Sequence, residues 1–94
     1  MVEIIWAEQA IEDWESIAQF HSATSIKYMT LILQEIERGV SRLARFPFSG
    51  RVVPEINNLN IREIVQNRYR VLYEVRDDAL IILTIHPCLI PLTE

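Results

Sequence analysis

Glycine is almost absent from this 94-residue chain: Gly39 and Gly50 are the only two. A phosphate-cradling glycine loop therefore cannot be built, because such loops need several glycines in close succession. There is one cysteine, Cys88, which excludes an internal disulfide framework and fits a reducing cytoplasm. Cys88, His21 and His86 do not form a metal-ligand spacing, so no metal and no cofactor are expected. Long apolar runs are also missing. The longest, Ala79 to Ile85 with Thr84 inside it, is far too short to cross a membrane and has the length of a buried strand. The first residues carry Glu3 where a signal peptide wants positive charge, so no targeting segment is expected. No nucleophile elbow is present. Lysine occurs once, at Lys27.

What is present is half apolar, with a formal net charge of -4. That composition supports one folded domain over residues 1–94 and argues against disorder. The net charge argues against a general nucleic-acid binder, but the charge is unevenly spread. Up to Glu37 the only basic residue is Lys27, against seven acids. From Arg38 to Arg76 there are eight arginines and three acids. Either this is ordinary solvated surface, or the second region holds an arginine-bearing groove for an anionic partner.

Val2 to Ala7 reads as a strand, and Glu8 to Phe20 as a helix whose apolar side carries Ile11, Trp14, Ile17 and Ala18. After a short break at His21 to Ser25, where Ser22, Thr24 or Ser25 is placed to cap, a second helix begins. Ile26, Met29, Leu33, Ile36, Val40 and Leu43 recur at alternating spacings of three and four, an apolar stripe that wants a surface to lie on. Phe46-Pro47-Phe48-Ser49-Gly50 ends that helix. Arg51 to Glu55 reads as a short strand limited by Pro54. Asn57, Asn58 and Asn60 mark a loop. Ile61 to Val65 and Arg68 to Arg76 read as a hairpin turning at Gln66-Asn67. In that register Arg70 faces Glu63 as an ion pair, and Arg62 faces Val71 and points away from Arg70. Tyr69, Val71, Tyr73 and Val75 share one face of the strand. Leu80 to His86 is a central strand. The order is β-α-α-β-β-β-β: an α+β fold with an N-terminal strand and an antiparallel helical hairpin packed on a twisted, mainly antiparallel sheet.

Pro47, Gly50-Arg51, Val52-Val53-Pro54-Glu55, Arg62-Glu63, Tyr69-Arg70-Val71-Leu72-Tyr73 and the closing strand Ile81 to His86 follow one another in an order that resembles the RelE/ParE toxin superfamily. The likeness is greatest to its ParE-like plasmid-stabilisation branch. The resemblance implies a cytoplasmic toxin neutralised by a cognate antitoxin from an adjacent gene. ParE-like members poison DNA gyrase, whereas RelE-like members cleave messenger RNA on the ribosome, and a shared fold does not choose between them.

A metal-free ribonuclease needs a base, cations and an acid around one phosphate. The candidates are Arg70, which matches the family arginine, with Arg51, Arg62 and His86. After His86 the chain reads Pro87-Cys88-Leu89-Ile90-Pro91-Leu92, without the basic residues or late tyrosine that RelE-like members carry there. The reading that follows is a ParE-like toxin acting by binding. Its alternatives are an endoribonuclease with a rearranged site and a non-toxic homologue that only binds an antitoxin. Arg51, Arg62, Arg70, Leu89, Ile90 and Leu92 are the expected partner-binding residues. The two tyrosines, Tyr69 and Tyr73, are read as sheet-packing side chains with a polar tip.

Overall fold

The computed structural model describes residues 1–92. Strand β1 (Glu3–Trp6) leads into α1 (Glu8–Ser22) and α2 (Ile26–Leu43). The strands β2 (Arg51–Val52), β3 (Ile61–Gln66), β4 (Tyr69–Val75) and β5 (Ala79–Pro87) follow. They form one sheet in the order β1-β5-β4-β3-β2. The first strand lies beside the last, and parallel to it; every other neighbouring pair is antiparallel. The fold is the α+β arrangement expected from the sequence.

Both helices pack on one face of the sheet. The core between them joins Ala10 and Ile17 of α1, Ile32, Ile36, Val40 and Leu43 of α2, and Tyr69, Val71, Tyr73, Leu80, Ile82 and Ile85 of the sheet. The helix stripes differ from the expected ones in detail. On α1, Ala10 is fully buried whereas Ile11 is exposed. On α2, Ile26 is 69% exposed and Ile32 is buried instead. The cause is angular drift. At about 100° per residue, a strict alternation of three and four slips around the helix, so Ile26 falls roughly 100° from Leu43 while Ile32 falls within about 20° of it. Ser25 is the cap of α2, its hydroxyl accepting from the Tyr28 N–H at 3.1 Å.

The β3–β4 hairpin turns one residue later than expected, at Asn67-Arg68, with Gln66 paired to Tyr69. Two bonds to α2 fix this register. The Gln66 amide donates to the Glu35 carbonyl at 2.8 Å, and the Asn67 amide to the Glu35 carboxylate at 3.1 Å. Asn67 itself adopts a positive φ of 57°, which asparagine tolerates. Strand β2 stops at Val52 rather than reaching Glu55, because Val53 to Asn57 curls into a turn closed by the N–H groups of Ile56 and Asn57 on the Val53 carbonyl.

Strand β1 reaches only as far as Trp6, opposite Ile82. Beyond that point the outer edge of β5 is served by α1: the Asp13 carboxylate accepts from the Ile85 N–H at 3.0 Å and from the Thr84 hydroxyl. Leu83 drops out of the β4–β5 register at this place, a bulge that strengthens the local twist.

Candidate functional site

The sheet face turned away from the helices carries charge, as a solvated face does, but two of its charged residues are buried. Glu63 is fully buried and Arg70 nearly so. A buried charge is tolerable only when paired and hydrogen-bonded, and here four charges alternate in a ladder. The Arg51 Nε donates to Glu63 Oε2 at 2.5 Å, and the Arg70 Nε donates to Glu63 Oε1 at 2.6 Å. The two terminal nitrogens of Arg70 then grip both oxygens of Glu55 at 2.9 Å each, a bidentate fork.

The hairpin shift changes how Arg70 meets Glu63. Arg70 stands in register with Val65 on one side and His86 on the other, and Glu63 with Leu72. The two charged residues therefore share a face two positions apart and meet diagonally, rather than directly across. Glu55 completes the ladder because the turn after Val53 folds its carboxylate back onto the sheet. The Arg70 guanidinium beside it holds the Glu55 carboxyl at about 2, well below its ordinary 4.5, helped by a hydrogen bond from its own backbone. The Arg70 guanidinium is pushed up by its bonds to Glu55 and then Glu63, and so is permanently charged.

The sequence-predicted residues thus divide. Arg51 and Arg70 come together through Glu63. Arg62 is paired with Tyr73 and Val52, off that face. Its side chain donates to the carbonyls of Leu59, Phe48 and Gly50, and its guanidinium lies 4.9 Å from the centre of the Phe48 ring. His86 neighbours Arg70 in register, but its Nε2 is 2.8 Å from the Ile90 carbonyl. A carbonyl can only accept, so Nε2 carries the proton and the ring latches the tail. Arg51 keeps an exposed guanidinium, with 65% of its side-chain surface accessible. Within the ladder the two positive charges are matched by two negative ones, and each of the three Arg70 nitrogens already holds a carboxylate oxygen.

Leu89 and Ile90 belong to a separate place. With Phe20 of α1, Tyr69 of β4, and Ile85 and Pro87 of β5 they line an apolar groove of about 480 Å³ beside the outer edge of β5. Leu92 is half-buried and stands beyond this lining. Leu89 and Phe20 are 89% and 71% exposed, which is unusual for side chains of their size. The Tyr69 hydroxyl lies 2.7 Å from the His21 Nε2, and burial pushes the Tyr69 phenol up, so it stays neutral. His21, which the sequence places at a break between helices, therefore anchors the Tyr69 hydroxyl. No local pattern shows that pairing, since 48 positions separate the two. Tyr73 has a comparable polar anchor, its hydroxyl accepting from the Gly50 N–H at 3.0 Å. Among the described residues, no group of three or more potential ligand side chains is placed to hold a metal ion, and no helix is long and apolar enough to cross a membrane.

A family model described as the ParE toxin of the type II toxin–antitoxin system, parDE, matches residues 4–87. Among solved structures, a chain of the chromosomal ParDE TA system from P. aeruginosa has a TM-score of 0.77 to this one. It is 18% identical, and the match covers 93% of this chain and 96% of that one. At such identity the likeness speaks for the fold. No curated protein matches in sequence.

Proposed function

The chain belongs to the ParE toxin family, and from that premise we propose that it is the toxin of a type II toxin–antitoxin pair that acts by binding its target, of the DNA gyrase kind, rather than by cutting RNA. The observation that carries the choice is the carboxylate ladder. Cleavage at a phosphate needs free cations around it and a proton acceptor and donor within reach. Here all three nitrogens of Arg70 are engaged by Glu55 and Glu63, Arg62 is tied to carbonyls, and the His86 Nε2 proton is committed to Ile90. The gyrase assignment itself comes from the family resemblance.

The partner surface is read as two regions. The cognate antitoxin lays an apolar segment into the groove of Phe20, Tyr69, Leu89 and Ile90, where large exposed side chains line a ready concavity. Arg51, the exposed end of the ladder, is held by its Nε to Glu63 and offers an acidic side chain of that partner its terminal nitrogens. Leu92 extends the tail past the groove.

The test is a DNA supercoiling reaction. Purified toxin should inhibit gyrase in proportion to its concentration, and the co-purified product of the adjacent gene should relieve the inhibition. In a translating extract, messenger RNA should stay intact with the same protein. Cleaved messenger and unimpeded supercoiling would together reverse the assignment and return Arg51, Arg62, Arg70 and His86 to a catalytic role. Inactivity in both assays, with the antitoxin still bound, would leave a homologue that only binds antitoxin.

A further inference from the structure

Of the arginines between Arg38 and Arg76, several have local partners. Arg51, Arg70 and Arg76 are in ion pairs and Arg62 is bound to carbonyls. Arg38, Arg42, Arg45 and Arg68 are different. All four are exposed, and among the described residues none makes an ion pair; Arg68 stands apart in the β3–β4 turn, whereas the other three follow one another at the end of α2. At about 100° per residue, Arg38 and Arg42 lie within roughly 40° of each other, off the buried stripe of Ile36 and Leu43. Arg45 follows in the turn just past the C-cap, Ala44.

Like charges one turn apart repel, so this spacing weakens the helix that carries it. The negative end of the helix dipole offsets the repulsion at Arg42 and Arg45. It does not account for what stands beside them. Phe46 and Phe48, in the chain that leaves the helix, are 62% and 54% exposed. Phe46 shares a hollow of about 300 Å³ with Arg42 and Ile64. The Phe48 ring is braced by the fixed guanidinium of Arg62. Unpaired cations and half-exposed aromatic rings thus adjoin on a chain whose net charge is -4.

We propose that this end of the molecule is a contact surface for single-stranded nucleic acid, in which Arg38, Arg42 and Arg45 meet successive phosphates and Phe46 and Phe48 receive stacked bases. Base–ring stacking beside a positively charged track is the usual physics of sequence-tolerant single-strand binding. An acidic protein segment would satisfy the arginines equally, but only a nucleic-acid strand brings a flat π-face with every phosphate, to set against the two rings. The inference goes beyond the toxin reading and does not depend on gyrase being the target.

The experiment is fluorescence anisotropy of a labelled oligothymidylate, about 20 nucleotides long so as to exceed common single-strand site sizes, titrated with the full chain at a series of salt concentrations. Affinity should fall with salt at a log–log slope of about -2, three phosphates at roughly 0.7 each for a single strand. The triple variant Arg38→Gln, Arg42→Gln, Arg45→Gln should bind at least about tenfold more weakly and with a flatter slope. The double variant Phe46→Ala, Phe48→Ala should lose about tenfold with the slope unchanged, as expected when stacking rather than charge is removed. Arg76→Gln, which removes a charge already paired to Glu74, should do neither. Circular dichroism checks that each variant is folded. Absence of binding at low salt, or a triple variant indistinguishable from the parent, overturns the proposal. So does displacement of the oligonucleotide by a glutamate-rich peptide whose own binding is indifferent to the two phenylalanines; that result assigns the surface to an acidic protein partner.

Discussion

Glu63 is the residue on which the open face of the sheet depends. Its carboxylate is wholly buried and divides its oxygens between Arg51 and Arg70. Glu63→Gln leaves the nearly buried Arg70 with Glu55 as its one anion, a loss below the roughly 3–5 kcal/mol of a buried charge left wholly unpaired. Urea unfolding should show that loss, and a much smaller one for Glu55→Gln, whose side chain is partly exposed. Glu55 has its own signature, in acid. Because its folded carboxyl sits at about 2 rather than 4.5, its contribution is complete above the ordinary value and disappears as pH falls towards 2. The parent protein should therefore lose stability between about pH 5 and pH 2 more steeply than Glu55→Gln does. Parallel curves would mean the Glu55–Arg70 fork is unimportant in solution. At this scale the sequence was partly legible. The order of Gly-Arg, Glu, Arg-Glu and Tyr-Arg singled out Arg51 and Arg70, and pairing of Arg70 with Glu63 was expected. The grip of Glu55 was not, because it depends on a turn after Val53 that only tertiary structure reveals.

Helix α2 was readable in outline because its signals are local: an apolar rhythm, Ser25 among three possible caps before it, and Pro47 after it. Ser25→Ala should lower stability by about 1 kcal/mol, the usual worth of such a cap. The β3–β4 hairpin was misplaced by one residue because its register is set from outside, by Gln66 and Asn67 reaching Glu35 on α2. The two glycines mark where elements approach most closely, and they differ in what resists them. A Cβ on Gly50 would come within 2.5 Å of the Glu63 carbonyl oxygen and 2.6 Å of the Tyr73 hydroxyl, neither of which can easily move. A Cβ on Gly39 would meet the Gln66 side chain at 2.5 Å, which can swing aside at the expense of its bond to Glu35. Gly50→Ala is expected to destabilise by about 1–3 kcal/mol, as overpacking does. Gly39→Ala should cost less, since alanine recovers up to about 1 kcal/mol of helix propensity. Thermal melts of the two variants give the order directly, and a larger loss at Gly39 would contradict it.

Across the whole molecule, the charged ladder and the apolar groove are separate surfaces, and each answers to its own variant. Leu89→Asp and Phe20→Asp alter side chains that the isolated chain leaves mostly in water, so its melting temperature should barely change. Affinity for the antitoxin should nevertheless drop by more than about tenfold, as when a buried anchor of an interface is lost. Calorimetric titration with the purified antitoxin measures this, and unaltered affinity would move the docking site elsewhere. The sheet order carries a last consequence, for how the protein comes into being. Strand β1 precedes the other elements of the fold, and β5, its strand partner among the described residues, follows them. Contacts so distant in sequence must bear the full entropy of loop closure before they return anything, which slows folding. Until β5 is made, the nascent chain has two helices and a growing hairpin but no neighbour for β1. A complete sheet, and with it both surfaces, therefore arises only after β5 has left the ribosome.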